Sequence, residues 1–235
     1  MRILLVGDSH GDAGFISFVV GHAMAGDCAL IVQLGDFGYW EHAPWGKAFL
    51  GHCSRELVRA GISMYWIDGN HENHPLLWAK YPTGEDGFCE VRPNLFYIPR
   101  GHSWEWEGHR CLGLGGAFSI DRDWRLREEA FAGQPETLWW PTELITENNV
   151  ARAKEVGAAD IVFSHDCPDG VPIPGIHADD KALFPASAAN RDALPGSTPS
   201  PRGVNDGAKL PISRSLVRSD PLQRHAEPAN CNAVT

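Results

Sequence analysis

The chain has 235 residues and 43% hydrophobic content, enough to bury one sizeable core, so one domain or one domain with an appendage is expected. Twenty basic residues against thirty acidic ones leave a formal charge of −10, which argues against electrostatic wrapping of nucleic acid and suits a protein whose carboxylates hold cations. Six cysteines, at 28, 53, 89, 111, 167 and 231, form no Cys-x-x-Cys pair, which argues against a zinc ribbon or a disulfide scaffold and points to reduced thiols in a cytoplasm.

At the amino end only Ile3 to Val6 are apolar before Gly7 and Asp8, unlike a secretory signal, and no apolar run approaches a membrane span. Ile3 to Val6 reads as a short buried strand that ends in the loop Gly7-Asp8-Ser9-His10-Gly11. In an extended segment residues two apart point the same way, so Asp8 and His10 can aim a carboxylate and an imidazole into one space. That pair is a half-site for a divalent metal, and the glycines framing it favour metal over a solvated loop with a helix N-cap. An amphipathic helix is predicted from about Ala13 to Ala25.

The second strand, Ala29 to Leu34, runs into Gly35-Asp36-Phe37-Gly38. Two strands that each deliver an aspartate to the same sheet edge suit a two-metal centre, since a carboxylate can bridge ions roughly 3.5 to 4 Å apart. Tyr39, Trp40 and Trp45 could wall a cleft, but packing is the preferred reading. Gly46 to Ala60 reads as a helix with an apolar stripe of Ala48, Phe49, Cys53, Leu57 and Ala60, closed by Gly61. Ile62 to Ile67 is a third apolar strand, buried on both faces, ending in Asp68-Gly69-Asn70-His71-Glu72-Asn73. Open α/β sheets place ligands at that edge. Taken alone, the segment fits equally well as a strand-to-helix loop with Asn70 as the N-cap.

Asn73 to Lys80 is predicted as a short helix and residues 82–93 as a polar connection. Leu95 to Pro99, Ser103 to Glu107 and His109 to Leu114 read as strands of a second sheet, turned at Arg100-Gly101 and Glu107-Gly108. In Gly115 to Arg125 flexible backbone mixes with guanidinium groups, and Arg122 and Arg125 could meet a substrate phosphate. A surface loop paired to Asp121 and Asp123 is the favoured reading. His22, His42, His52, His74, His102 and His109 are read as surface or packing residues, with His74 the best exception. Pro141 to Gly157 is predicted as one helix, with Leu144, Ile145, Val150 and Ala153 on its apolar side. Ile161 to Ser164 is a last apolar strand, ending at His165 and stopped by Pro168. Ser164, His165 and Asp166 are no hydrolase triad, because neighbours in a strand face opposite ways.

Gly7-Asp8-Ser9-His10-Gly11, Gly35-Asp36, Gly69-Asn70-His71-Glu72 and Ser164-His165 come in this order, each at the end of an apolar run. Together they resemble the successive motifs of the calcineurin-like metallophosphoesterases, over about residues 1 to 185. The resemblance implies an α/β fold, a four-layer α-β-β-α sandwich with two divalent ions (manganese, iron or zinc) at the carboxyl ends of its strands. It implies that Asp8 and His10 bind the first ion, that Asp36 bridges, and that Asn70 and His165 bind the second. His71 would be the general acid or the hydrogen-bond donor to the transition state. A water bridging two such cations loses a proton near neutral pH, and the hydroxide can attack phosphorus in line with the leaving oxygen. In some branches an aspartate three residues beyond the bridging one orients the histidine; Tyr39 stands there. The Asp-Arg-Gly extension of the serine/threonine phosphatases is also missing.

The family's Gly-His-x-His motif, which gives one histidine to each ion, is not found after His165. Gly101-His102-Ser103-Trp104 lies upstream and lacks the second histidine, while His177 and His225 follow no strand. Residues 186 to 235 contain no Phe, Trp or Tyr, so a domain over 1 to 185 with a disordered or loosely attached tail is expected, and a sandwich incomplete at its C-terminal end. A frame change near Ala186 would produce such a replacement. Each ion would keep three protein ligands, a number with which catalytic zinc can work. The function expected is hydrolysis of phosphomonoesters or phosphodiesters, on a phosphorylated small molecule, a nucleotide or a phosphoprotein. The alternative is a catalytically silent remnant acting as a weak metal-binding or interaction module. The acidic charge disfavours a nuclease, and no membrane partner is expected.

Overall fold

The computed structural model describes residues 1–166 and the strand 232–234. All five residues of β2 (Leu30–Leu34) are buried, as a strand with a parallel neighbour on each side and cover on both faces must be. Those neighbours are β1 (Ile3–Val6) and β3 (Ser63–Ile67), in a register that sets Val6 opposite Gln33 and Leu34 opposite Ile67. Parallel strands need crossovers, which α1 (Ala13–Ala25) and α2 (Pro44–Ala60) supply.

Local chemistry sets the ends of both helices. Asp12 caps α1 by accepting from the Phe15 backbone N–H, an interaction typically worth about 1 kcal/mol. Pro44 opens α2, and Gly61 closes it in the left-handed conformation, φ 67°. The buried stripe of α2 is Gly46, Phe49, Leu50, Cys53, Ser54 and Leu57, whereas Ala48 is exposed. Phe49, Cys53 and Leu57 lie in the stripe as predicted, and Ala60 packs against the same core, so Ala48 alone departs from the expectation. Both helices cover one face of the sheet, where Ile16, Val19, Val20, Phe49, Leu50 and Leu57 join Leu4, Ile31, Met64 and Trp66 in a single core.

Beyond β3 the sheet continues through β5 (Leu95–Tyr97), parallel to β3, to β4 (Cys89–Arg92), antiparallel at the edge. β9 (Asn232–Val234) pairs antiparallel with β1 at the other edge, giving the order β4-β5-β3-β2-β1-β9. Two predictions are corrected here. The residues read as a polar connection contain β4, whose buried Cys89 and Val91 alternate with exposed Glu90 over too few residues to stand out. β5 belongs to the first sheet, because it pairs with β3 rather than with the hairpin that follows it.

The second sheet consists of β6 (His102–Trp106), β7 (His109–Leu114) and β8 (Ile161–Ser164), with β7 antiparallel to β6 and parallel to β8. Between the sheets Leu30, Val32, Leu34 and Ile67 pack against Phe88, Ile98, Cys111 and Phe163. α5 (Glu147–Glu155) lies against β6 and β7 as the outer layer, so the α-β-β-α order is as expected.

The remaining helices depart from the predicted bounds. α3 (His74–Lys80) is capped by Asn73, whose side chain accepts from Leu76 N, and not by Asn70. The predicted surface loop runs into α4 (Arg122–Ala132). The single helix expected from Pro141 breaks after a 3-10 turn at Pro141–Glu143, because Leu144 is extended. α5 restarts at Thr146, which forms a capping box with Asn149. Among the described residues Cys28, Cys53, Cys89 and Cys111 are buried and free. No helix among the described residues is long and apolar enough to cross a membrane. The expectations for Pro168, His177 and His225, and those for the 186–235 tail apart from β9, lie outside the described residues.

Candidate metal centre

Four strand ends from two sheets meet at one place. β1 delivers Asp8 and His10, β2 delivers Asp36, and β3 delivers Asn70 and His71 from the first sheet, while β8 delivers His165 from the second. The parallel register makes this possible, since strands that end level with one another put their following loops side by side.

Asp8 and His10 do converge, their Oδ2 and Nε2 being 3.7 Å apart. The cause is a turn and not strand alternation, for His10 is left-handed at φ 44°. Asp36 is left-handed too, at φ 51°. Such conformations cost on the order of 1 kcal/mol or more in a non-glycine residue and persist where surrounding bonds over-determine them. Here the Asp36 carbonyl accepts from Ser9 N at 3.0 Å and His10 N at 2.8 Å, which locks the two loops together.

The Asp36 side chain is the centre of the cluster. Its Oδ1 accepts from Asn70 N at 2.9 Å and His71 N at 3.0 Å and lies 3.5 Å from His165 Nε2. Its Oδ2 lies 3.6 Å from His10 Nε2 and 3.9 Å from His71 Nε2. One carboxylate is therefore faced by imidazoles on both of its oxygens. Glycine is required around it: a Cβ on Gly35 would overlap the His165 ring, and one on Gly69 would overlap the Asp36 carboxylate. Asp8 Oδ1 stands 3.9 Å from His165 Nδ1, so it borders the same cluster.

These residues fit a divalent cation pair. Carboxylate, imidazole and amide oxygen are the donors such ions take. His165 Nδ1 donates to the Leu34 carbonyl at 2.7 Å, which fixes the ring and leaves Nε2 as the nitrogen that faces Asp36, the orientation metal-ligating histidines use once they have lost the Nε2 proton. Among the described residues His10, Asp36 and His71 bring ligand atoms within 4.8 Å of one another. His71 is the exception within that group. Its Nε2 is hydrogen-bonded by the Arg125 guanidinium, which can only donate, so that lone pair is taken. Asn70 presents its backbone to Asp36, and its Nδ2 donates to Ser119 Oγ at 2.9 Å.

The charges follow from the packing. Burial alone would depress His165, but the Asp36 and Asp8 carboxylates outweigh it and raise the imidazole to about 9. His10 is raised as well, burial being outweighed by its bond to Asp8 and the charge of Asp36. Burial opposes the ionisation of Asp36, yet His165, His71 and His10 together hold it below the usual carboxylate range. Burial takes His71 down to about 4; Asp36 opposes this, and Arg125 and His10 reinforce it. The site without a cation thus stores positive charge on His165.

Several buried polar side chains around the site were given no such place by the sequence. Gln33 donates to the Gly7 and Gly35 carbonyls, tying the β1 and β2 ends. Glu72 is buried and accepts from Gly69 N at 2.7 Å and Gly38 N at 3.3 Å; burial, with Asp36 and Asp68 beside it, pushes it up to about 8. Asp68 is fully buried and paired with Arg100, Tyr97 and His74. Arg125, read as a surface residue, is buried against the site; besides His71 it reaches the Asn70 carbonyl at 3.2 Å and is held by Asp121. Arg122 instead lies over the Trp139 ring. Of the aromatic residues, Tyr39 is core packing as preferred, but Trp45 is more than half exposed. A cavity of about 240 Å³ between α3 and α5, lined by Trp78, Tyr97, Arg100 and Arg152, touches none of the six candidate residues.

Comparison with known proteins gives three results. No curated protein matches the chain. Among solved structures, that of TT1561 of Thermus thermophilus is 17% identical with a TM-score of 0.48, over 79% of this chain and 77% of that one. A second crystal structure is 13% identical with a TM-score of 0.44, over 79% of each chain. These likenesses are too distant to carry weight. The family model for calcineurin-like phosphoesterase, in contrast, matches residues 1–185. With that match over most of its length, the chain belongs to the calcineurin-like phosphoesterase family.

Proposed function

We propose that this protein hydrolyses phosphoric monoesters or diesters of small molecules or nucleotides at a centre in which Asp8, His10 and Asp36 hold one divalent cation and Asp36, Asn70 and His165 hold another. Metal-dependent phosphoester hydrolysis is what family membership implies. The observation that carries the assignment of residues is the Asp36 carboxylate, approached from both oxygens by His10 and His165 at 3.6 and 3.5 Å. A carboxylate so placed can bridge. Cations bound there would neutralise phosphoryl oxygens and make the attacking water more acidic.

The protein's own groups supply the rest. His71 lies beside the ligands without being free to join them, its Nε2 being occupied by Arg125. Its one proton is then on Nδ1, the only ring atom from which it could donate to a leaving oxygen. Because burial holds His71 near 4, it is neutral at pH 7 and acts as a hydrogen-bond donor more than as a full acid. The formal charge of −10 favours small substrates over nucleic acid.

The test is turnover of p-nitrophenyl phosphate and its bis ester with added Mn²⁺, together with metal analysis of the purified protein. Activity in the native chain and its loss by more than about 100-fold in Asp36→Asn, beyond what removing an outer-shell partner costs, supports the reading. Turnover that survives in the variant counts against it. Bound metal without turnover on either ester identifies the silent metal-binding module.

A further inference from the structure

The Asn70 side chain ends a hydrogen-bonded chain that begins on a different part of the polypeptide. Glu143, in the 3-10 turn, is 1% exposed and accepts twice from one residue: Ser119 N at 2.9 Å and Ser119 Oγ at 2.5 Å. Ser119 is equally buried, and its Oγ accepts from Asn70 Nδ2 at 2.9 Å. Two further bonds pin these segments, since the Glu143 carbonyl accepts from Ala117 N at 3.2 Å and from Arg100 Nη2 at 3.0 Å.

With Glu143 ionised and Ser119 Oγ donating to it, the donors and acceptors leave one arrangement. A serine hydroxyl has a single proton. Glu143 takes it, so toward Asn70 the hydroxyl can only accept, and the group facing it is the amide NH₂. Asn70 Oδ1 is thereby turned away from Ser119 and left without a claim on it. An asparagine can serve a cation only through that oxygen, and a free amide would present either end. We infer that Ser119 and Glu143 are positioning residues that select the Asn70 rotamer whose Oδ1 serves the second cation. This rests on the metal centre proposed above.

The discriminating variant is Glu143→Gln, which is nearly isosteric. Glutamine has one acceptor oxygen for two donors, so its NH₂ must face Ser119. If it faces Oγ, the hydroxyl proton swings toward Asn70 and recruits Oδ1, reversing the chain. Mn²⁺ binding alone, followed by calorimetry on the full chain, reads this without reference to turnover. We expect two sites in the native protein, one of which weakens 10-fold to 100-fold in Glu143→Gln and in Ser119→Ala, the span seen when outer-shell partners of a metal are lost. The metal-free melting temperature of Glu143→Gln, measured in parallel, should stay close to native. Native affinity at both sites in a folded Glu143→Gln protein would overturn the inference and leave the metal centre standing. A native chain that binds no Mn²⁺ would overturn both.

Discussion

His165 Nδ1 donates to the backbone carbonyl of Leu34 at 2.7 Å, so a histidine that ends a strand of the second sheet is held by the strand that delivers Asp36 in the first. The bond crosses the interface between the sheets and lets both supply one centre. It also explains why the residue after Leu34 is glycine: a Cβ there would occupy the space of the His165 ring, at a φ of +97° that alanine resists.

Gly35→Ala should therefore damage the centre without altering a ligand. The expected result is a loss of about 1 to 3 kcal/mol in urea unfolding, from backbone strain and ring displacement. Mn²⁺ affinity should fall at least about 10-fold at the site His165 serves. Native affinity in the variant would show that His165 is not held where the cation binds.

Metal binding should release protons at neutral pH. His165 is raised to about 9 because Asp36 and Asp8 outweigh its burial, so at pH 7 it is protonated in the metal-free protein. A ligand imidazole must be neutral. Binding then expels about one proton from His165, and apparent affinity rises as pH rises toward 9. Titrations in buffers of different ionisation enthalpy would measure the release, and none at pH 7 would contradict the placement of His165 as a ligand.

His74 should make stability sensitive to acid. It is fully buried, its Nε2 bonds the Gly69 carbonyl at 3.0 Å, and burial, only partly opposed by Asp68, lowers it to about 4 from 6.5. Between those two values the unfolded chain binds the proton and the folded chain does not. The contribution is complete above 6.5 and is lost as pH falls toward 4, to a total of up to about 3 kcal/mol. His71 titrates in the same window, so the measure is the difference between native and His74→Gln proteins in unfolding free energy at pH 7 and pH 4.5. Parallel pH curves would refute the assignment.

Asp68→Ala should be among the costliest substitutions. The carboxylate is held ionised against its burial mainly by Arg100, whose Nε donates to it at 2.7 Å, and both side chains are almost completely shielded from water. Removing one partner of a buried pair leaves the other charge stranded, typically at about 3 to 5 kcal/mol. Chemical denaturation should show a loss of that size, and a loss below about 1 kcal/mol would mean that Arg100 finds other partners.

Much of the framework was legible because it is written locally. β1, α1, β7 and β8 have the bounds predicted from apolar runs and their terminal residues. An apolar strand followed by glycine and a ligand-type side chain is visible within ten residues, and that pattern recurs at Asp8, Asp36 and Asn70. The short range of the cue is also its weakness. β4 alternates over four residues only, and the break at Leu144 interrupts what reads as one helix.

Which polar residues would be buried was not legible. Arg125 looks like part of a solvated charge run, yet it is buried because the Asn70-His71 corner covers it and offers a carbonyl and a ring nitrogen. Ser119 and Glu143 are 24 residues apart, and nothing in either neighbourhood announces that they meet. The sequence alone determined that strands would end in aspartate, asparagine and histidine, because burial of apolar runs and the freedom of glycine are properties of neighbouring residues. The tertiary structure decided that β5 joins the first sheet, that His165 reaches Leu34 across the interface, and that a serine backed by a glutamate faces the Asn70 amide. Those outcomes depend on which distant surfaces exclude water together, and no stretch of chain holds that information by itself.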